Sequence, residues 1–335
     1  MAIEKIHINN YKSLVDLTIE KPNPFSVFVG PNASGKSNIF EALDFYSYLS
    51  RIDIKQLVSS FGGIDAIFNL RGNSLEIELN FKTIPTKLII PNRDGITLKI
   101  EGISTPRGFE NDHDSLRFHN GFTKGSSYEQ FFYEFYRIFI NKSEKDQFPR
   151  KDDKRLSLDG RNLEKVLKRV LSNSKIRNEF TELLAYLIPD FKSIKISSDK
   201  LSGSDNLLIY EKHSKKPFSK QLISEGTFNI IALLTAILQS DDPQFICIEE
   251  PENGIHPEAI IELVSFFREQ CAEKGHYIWL TTHSQTLVSE LKPDEIIVVD
   301  KIKGETKVKQ FQGKIFYDLK MDEAWLSNAL SGGLI

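Results

Sequence analysis

Apolar and polar residues alternate along several short segments of the first 100 residues, and strict alternation is typical of strands with one buried face. The alternating segments are residues 3–9, 17–19, 75–81 and 98–100. Pro22-Asn23-Pro24 follows the second segment and ends it, because proline cannot donate a hydrogen bond to a strand ladder. The pattern therefore predicts a region of half-buried antiparallel strands near the N-terminus.

Later in the chain the pattern changes to continuous apolar runs, which are typical of parallel strands buried on both faces. These runs are residues 245–248, 277–280 and 296–299. Helices are predicted at 228–238 and 258–272, where apolar residues recur at helical spacing. Alternating strands and helices predict a parallel sheet whose ligands bind at the carboxyl ends of its strands.

The composition shifts near Gly102, and residues 102–125 are rich in Gly, Asp, Asn and His, which indicates a long loop. Aromatic residues then recur at helical spacing and predict a helix that begins at Ser126-Ser127. Its aromatic face consists of Tyr128, Phe131, Phe132, Phe135 and Phe139. Such a stripe belongs either to a core or to a partner-binding face, and the pattern leaves both interpretations open.

Residues 142–177 contain 12 Lys or Arg and 6 Asp or Glu, an excess of six positive charges in a chain whose net charge is −3. A helix is predicted there, with an apolar face of Leu163, Val166, Leu167, Val170 and Leu171. The cations that lie mostly off this face are Arg161, Lys165, Lys168 and Arg169. They form either a solvated helix surface or a contact surface for a nucleic-acid backbone.

Length and composition are those of an ordinary folded protein of one or two domains, with 335 residues, 40% hydrophobic and 27% charged. Cys247 and Cys271 both lie in apolar patterns, so we expect buried thiols rather than a disulfide framework. The N-terminus does not resemble a signal peptide, and no apolar run approaches the roughly 20 residues that a membrane-spanning helix needs. We therefore expect a cytoplasmic protein without a membrane partner.

Gly30 to Ser37 reads G-x-x-x-x-G-K-S, the phosphate-binding P-loop pattern. It lies between a β-prone run at 25–29 and a predicted helix at 38–50, which is the setting that the pattern requires. The predicted nucleotide-binding residues of this loop are Asn32, Gly35, Lys36 and Ser37. Backbone N–H groups converge at the helix N-terminus, Lys36 would reach the β and γ phosphates, and Ser37 would hold Mg²⁺.

Further motifs follow in an order that resembles the ABC-type ATPase heads of the SMC, RecF and OLD (overcoming lysogenization defect) families. Gly30 to Ser37 is similar to Walker A, Ile223 to Thr227 to the ABC signature, Phe245 to Glu250 to Walker B with the catalytic glutamate, and Thr282-His283 to the switch histidine. Asn10 to Ser13 resembles the N-terminal Asn-Phe-Lys-Ser turn of these heads. That likeness implies that Lys12 approaches the nucleotide.

The resemblance implies an α/β P-loop NTPase fold of the ABC-head type, with a mixed central sheet, an antiparallel β subdomain and a mainly helical insertion. It implies a split head at 1–100 and 201–335 and an insertion, or lid, at 101–200. The insertion is too short for the coiled-coil arms of SMC proteins and carries no zinc-hook cysteine pair. The chain also leaves no room for the TOPRIM nuclease of OLD proteins, so any nuclease is expected to be a separate protein.

The same resemblance assigns roles to the later motifs. Glu249 would hold Mg²⁺, Glu250 would deprotonate the attacking water, and His283 would contact the γ phosphate or that water. Ser224 and Gly226 precede the N-terminus of the predicted helix at 228–238, and in ABC heads this signature faces the γ phosphate bound by a second copy. We therefore expect ATP and Mg²⁺ as cofactors and a dimer, or a higher oligomer, assembled through ATP.

Three features depart from the family pattern. Walker B has Glu249 where aspartate is usual, and the signature has Glu225 between its serine and its glycine. No glutamine is an obvious Q-loop residue, and Gln56 is the nearest candidate. The first two departures leave the rate of hydrolysis open.

Two functions are consistent with these motifs. The first is an ATP-hydrolysing switch that dimerises on ATP, associates with DNA through residues 142–177 and controls a separate effector, a nuclease or toxin, in anti-phage defence. The alternative is a nucleotide-gated scaffold that binds ATP to hold a partner complex together with little turnover. The intact Glu250 favours the first, whereas Glu249 and Glu225 leave room for the second.

Overall fold

The computed structural model describes residues 2–49, 51–69, 72, 74–81, 85–90, 99–101, 127–140, 148, 153–199, 203–313 and 321–326. Internal contacts divide the chain into two compact units. The first comprises Met1–Arg137, Pro243–Cys247 and Gly275–Ile335, and the second comprises Ile138–Asp242 and Ile248–Lys274. The predicted bounds of head and lid differ from this division and stay a prediction. The predicted loop at 102–125 lies outside the described residues.

The strands are β1 (Ile3–Tyr11), β2 (Leu14–Glu20), β3 (Phe25–Val29), β4 (Leu75–Phe81), β5 (Pro85–Ile90), β6 (Lys99–Glu101), β7 (Phe135–Ile138), β8 (Phe191–Ser198), β9 (Asp205–Glu211), β10 (Phe218–Ser219), β11 (Phe245–Glu249), β12 (Tyr277–Thr282), β13 (Ile296–Ile302) and β14 (Glu305–Gln310). The helices are α1 (Lys36–Tyr48), α2 (Ile54–Ser60), α3 (Ile64–Ile67), α4 (Ser127–Glu134), α5 (Leu163–Val170), α6 (Ser174–Leu187), α7 (Glu225–Leu238), α8 (Pro257–Lys274), α9 (Gln285–Ser289) and α10 (Met321–Leu326). None of the helices described is both long enough and apolar enough to cross a membrane.

The first unit contains an antiparallel sheet with the strand order β2-β1-β4-β5-β6. Each neighbouring pair in it is antiparallel. Burial alternates along β4, where Leu75, Ile77, Leu79 and Phe81 are buried and the residues between them are half-buried. The alternating sequence pattern therefore produces the half-buried antiparallel strands that were predicted.

A second, mixed sheet has the strand order β14-β13-β3-β12-β11-β7. Strand β3 pairs in parallel with both β12 and β13, whereas β14 pairs antiparallel with β13. Every residue of β3, β11 and β12 is buried. Burial on both faces explains the continuous apolar runs at 245–248 and 277–280 and confirms the buried strands predicted from them.

The second unit contains helices α5 to α8 and an antiparallel sheet with the order β10-β9-β8. Helix α7 is buried along nearly its whole length, as its apolar sequence predicts. Helix α5 buries Leu163, Val166, Leu167 and Val170, which confirms four residues of its predicted apolar face, whereas Leu171 is the C-cap and is only half-buried. Cys247 of the first unit and Cys271 of the second are both buried thiols that form no disulfide with each other, as expected.

The aromatic residues near position 130 do not form the single helix that was predicted for them. A single helix to Phe139 is wrong, because α4 ends at Glu134 and β7 begins at Phe135. The chain changes from helix to strand where Phe135 packs against the sheet. The ring centroids of Phe135 and Phe245 are 5.2 Å apart, and Phe245 belongs to the neighbouring strand β11. Phe131, Phe132, Phe135 and Phe139 are all buried, so of the two interpretations the core is the one found.

Candidate functional site

The P-loop connects β3 to α1 in the first unit, as predicted. Gly35 is the N-cap of α1 and has a left-handed backbone with φ of 106°, a conformation that glycine adopts without steric cost. Because glycine has no side chain, Gly35 cannot accept a hydrogen bond from the N–H groups of the first helical turn, which lack partners within the helix. Those groups and the helix dipole make this end of α1 a favourable position for an anion.

Lys36 folds back over this loop. Its Nζ donates hydrogen bonds to the carbonyl oxygens of Gly30 at 2.8 Å and Pro31 at 3.1 Å, and the residue is only 6% exposed. The ammonium is therefore held at the loop rather than extended into solvent. Ser34 Oγ, in the middle of the loop, is buried and has no hydrogen-bond partner among the residues that the structure describes.

His283 lies at the same sheet edge as the P-loop. Strands β12 and β3 run parallel, and Thr282 is opposite Val29. His283 and Gly30 directly follow these two residues, so both leave the sheet at the carboxyl ends of neighbouring strands. The next residue, Ser284, caps α9 by accepting a hydrogen bond from the Leu287 N–H.

Lys12 forms an ion pair with Glu41 of α1, and it has a left-handed backbone with φ of 49°. The Tyr11 hydroxyl donates to the same Glu41 Oε1 at 2.8 Å. Burial raises the pKa of Tyr11 well above its usual value, and the charge of Glu41 raises it further. This half-buried partner was not predicted from the sequence, because Glu41 belongs to an ordinary amphipathic helix pattern.

Glu249 is the last residue of the buried strand β11, Glu250 directly follows it, and both belong to the second unit. Glu249 is 3% exposed. Glu250 has a left-handed backbone with φ of 48°, which is uncommon for a residue with a side chain and is often found at functional sites. Its Oε2 accepts a hydrogen bond from Asn253 Nδ2 at 3.1 Å.

Both carboxylates line a pocket whose other walls are Ile140, Asn229, Leu233, Ile248 and Pro251. The pocket contains a cavity of about 10 Å³. That space is close to the minimum that one water molecule needs. The lining residues combine four apolar residues with the two glutamates and Asn229, so the pocket is of mixed polarity.

The signature segment packs against the loop that follows Glu250. Ser224 caps α7 by accepting a hydrogen bond from the Thr227 N–H at 3.1 Å. A Cβ on Gly226 would lie 2.0 Å from the Gly254 carbonyl oxygen, so only glycine allows this approach. Asn229 Nδ2 donates to the Asn253 carbonyl oxygen at 2.6 Å.

Asn229 and Asn253 are functional candidates that the sequence analysis missed. A signal existed for Asn229, because it is a polar residue in a helix that is otherwise almost entirely apolar, and a buried amide requires hydrogen-bond partners. No comparable signal exists for Asn253, which belongs to a polar loop. Gln56, the nearest Q-loop candidate, is exposed on α2, and its role stays a prediction.

The cations of the predicted nucleic-acid surface are partly engaged within the second unit. Lys168 Nζ donates to Ser198 Oγ at 2.7 Å and to Asp205 Oδ1 at 2.8 Å. The hydrogen bond from Lys168 lowers the pKa of Asp205. The Arg169 guanidinium donates to three backbone carbonyl oxygens, those of Asp153, Lys154 and Gln239. Lys165 is exposed, whereas Lys168 and Arg169 serve at least in part to hold this unit together.

Comparison with known proteins supplies the family. Residues 25–289 match the family described as "AAA domain, putative AbiEii toxin, Type IV TA system". The chromosome partition protein Smc of Methanocaldococcus jannaschii is 37% identical over 83 residues, which are 24% of this chain and 7% of the relative. Smc of Methanococcus voltae is 30% identical over 104 residues, which are 30% of this chain and 8% of the relative. The matched segments thus span less than a tenth of these curated relatives.

Solved structures of Smc heads share the fold. The crystal structure of an Smc head bound to the C-winged helix domain of ScpA gives a TM-score of 0.61 at 17% identity and covers 92% of this chain and 97% of that one. The Pyrococcus furiosus Smc head with an extended coiled coil, bound to the C-terminal domain of ScpA, gives 0.59 at 14% identity and covers 98% and 99%. The predicted fold class, a P-loop ATPase head of the ABC type, is confirmed. Because the family model spans most of its length, the chain belongs to the AAA-domain family of this description, and its fold is that of an SMC-type ATPase head.

Proposed function

We propose that this chain is an ATP-binding and ATP-hydrolysing switch whose nucleotide lies on the P-loop. The observation that carries the proposal is the Lys36 ammonium, which is held on the loop carbonyls beside the uncovered N-terminus of α1. A cation and a helix N-terminus at one place favour a highly charged anion. His283, which directly follows the neighbouring parallel strand, would contact the outer phosphate.

The residues present fit a triphosphate and a divalent cation. Asn32, Gly35 and Lys36 would hold the phosphates, and the buried Ser34 hydroxyl offers an unused donor in the same loop. Ser37 of the P-loop would hold Mg²⁺, which prefers hard oxygen ligands, and the metal-binding role of Glu249 in the second unit stays a prediction. When bound, the metal neutralises charge that develops on the phosphate oxygens.

Glu250 is the general base of the proposed reaction. Its left-handed backbone and the hydrogen bond from Asn253 hold the carboxylate in one orientation beside a pocket with room for about one water. The carboxylate would take the proton of the attacking water. Lys12 would assist only after leaving Glu41, because that carboxylate now holds its ammonium.

The proposed switch includes a second copy of the chain. Ser224 and Gly226 lie at the N-terminus of α7, where Ser224 is exposed and able to face a phosphate held by another subunit. The fold of Smc heads supports this arrangement by analogy. The toxin–antitoxin description of the family supports the proposed control of a separate effector, a nuclease or toxin, in a cytoplasmic anti-phage system. DNA association remains part of the proposal through the basic surface near α5.

The test measures ATP affinity and steady-state phosphate release for the parent and for Lys36→Ala. The substitution removes a charge-assisted contact worth about 1.5–3 kcal/mol, so ATP affinity should fall by at least tenfold. Thermal unfolding of both proteins without nucleotide controls for loss of fold. An ATP affinity of the variant within twofold of the parent would refute the P-loop assignment. Tight ATP binding by the parent with no phosphate release, with or without DNA, would support the scaffold instead.

A further inference from the structure

Thr306 of β14 reaches the P-loop from the other end of the chain. Thr306 is 0% exposed, and its hydroxyl donates a hydrogen bond to the Ser34 carbonyl oxygen at 2.8 Å. The Thr306 N–H donates to the Ser13 carbonyl oxygen at 2.8 Å. All three residues lie in the first unit, although 272 residues separate Ser34 from Thr306.

The hydroxyl belongs to an ordered chain of hydrogen bonds. Because Thr306 uses its one proton on Ser34, the 2.7 Å contact between Ser13 Oγ and Thr306 Oγ1 must be donated by Ser13. Ser13 Oγ in turn accepts from Asn38 Nδ2 at 2.8 Å. The chain therefore runs from the first turn of α1, through the turn after β1, to the backbone of the loop. The hydrogen bonds within such a chain polarise and strengthen one another where the local dielectric constant is low.

Thr306 also lies against the N-cap of α1. A Cβ on Gly35 would be 2.0 Å from Thr306 Oγ1, so a side chain at position 35 and this hydroxyl cannot occupy the same space. Glycine is thus required here both by the left-handed backbone and by the approach of β14. The threonine packs directly against the peptide unit between Ser34 and Gly35.

We infer that Thr306 is a positioning residue for the P-loop, an inference that rests on the proposed function for its effect on ATP. In a trans peptide the C=O and the following N–H point in opposite directions. By holding the Ser34 carbonyl, Thr306 directs the Gly35 N–H away from itself. That N–H is then fixed as a donor before any phosphate arrives, which lowers the cost of ordering the loop on binding.

Thr306→Val tests this role, because valine keeps the shape and removes the hydroxyl. The Ser34 carbonyl loses its buried donor, so affinities for ATP and ADP should both fall about three- to tenfold. The KM for ATP should rise by the same factor, while kcat at saturation should stay within about twofold because no reacting group changes. Thr306→Ser retains the Oγ and should restore the parent affinity.

Thr235→Val is the matched control. Thr235 is also 0% exposed, and its hydroxyl donates to the Ile231 carbonyl oxygen at 2.7 Å within α7. This variant loses the same group from a buried site and should lose comparable thermal stability without any change in ATP affinity. Equal affinities of the parent and Thr306→Val, or failure of Thr306→Ser to restore binding, would overturn the inference.

A readout without nucleotide separates this inference from the proposed function. Amide hydrogen exchange at residues 34–37 should be faster in Thr306→Val than in the parent and in Thr306→Ser, because the unsupported peptide unit opens more often. Exchange that is unchanged in Thr306→Val would overturn the positioning role even if the parent bound no ATP. Absence of ATP binding by the parent, with faster exchange in the variant, would refute the proposed function alone.

Discussion

The P-loop and the acidic loop at residues 250–256 are both held by distant partners, but in different ways. The fully buried Thr306 holds the P-loop through its hydroxyl, which in turn accepts a hydrogen bond from Ser13 Oγ. The acidic loop is held by α7, through the close approach of Gly226 to Gly254 and the amide contact between Asn229 and Asn253. One loop is fixed inside the first unit, and the other is connected to a helix end that faces solvent.

The different supports of the two loops imply that nucleotide binding and hydrolysis are controlled separately in the proposed site. Buried supports keep the P-loop in a binding-competent shape whatever contacts the surface, since interiors are densely packed. The acidic loop carries Glu250, and its support begins at the exposed Ser224 end of α7. A second copy that contacts this helix end would therefore act on the general base and leave the phosphate cradle unchanged. Binding and hydrolysis should be separable by mutation.

Glu250→Gln gives the largest expected effect on hydrolysis. Glutamine keeps the shape and the contact with Asn253 but cannot take a proton, so kcat should fall by about 10²–10⁴ while ATP affinity is retained. Phosphate release and equilibrium ATP binding measure the two quantities separately. Loss of ATP binding would show that the two loops are not independent and that Glu250 is mainly structural.

Asn253→Ala tests the connection from α7 to the general base. The variant removes the donor at 3.1 Å from Glu250 Oε2, so kcat should fall about three- to tenfold with little change in ATP affinity. The matched control is Asn206→Ala, since Asn206 is an exposed amide on β9 of the same unit. A kcat equal to that of the parent would show that Asn253 does not position Glu250.

The smallest expected effects concern DNA. Replacing Lys165, Lys168 and Arg169 together with Glu should weaken DNA binding at low salt and leave ATP affinity unchanged. Lys168 and Arg169 also form hydrogen bonds within the second unit, so Lys165→Glu alone tests DNA binding with less effect on the fold. It should make the log–log salt slope shallower by about 0.7–0.9.

A second variant controls for folding in the same experiment. Arg169→Glu removes hydrogen bonds to three carbonyl oxygens and should lower thermal stability, which Lys165→Glu should not do. If the parent binds no DNA even with ATP present, the nucleic-acid interpretation of this surface is wrong. The cations near α5 would then be a solvated and structural face.

Sequence reasoning located the parts of the site that depend on local pattern. The P-loop and His283 were placed at strand ends because buried strands and the turns that follow them are encoded within a few residues. Thr306 could not be found this way, because its function depends on a contact with Ser34 across the whole chain. The ion pair of Lys12 with Glu41 was missed for a related reason, since a helix pattern does not name its tertiary partners.

The aromatic stripe shows a second limit. Phe135 to Ile138 is a short apolar run that fits either a helix or a strand by periodicity. Ring packing of Phe131 and Phe135 with Phe245 accompanies the strand that forms beside β11. Burial was therefore predictable from residue type, whereas the secondary structure depended on packing against a segment more than 100 residues away.

Mixing two inactive variants tests the central claim, that two copies share composite ATP sites. Lys36→Ala lacks the phosphate cation, and Ser224→Arg blocks the exposed N-terminus of α7, so each should be inactive alone. A mixed dimer keeps one intact site, and an equal mixture should recover roughly a quarter of the parent ATPase rate. No recovery on mixing, together with a mass by light scattering that ATP does not change in the Glu250→Gln protein, would contradict the account.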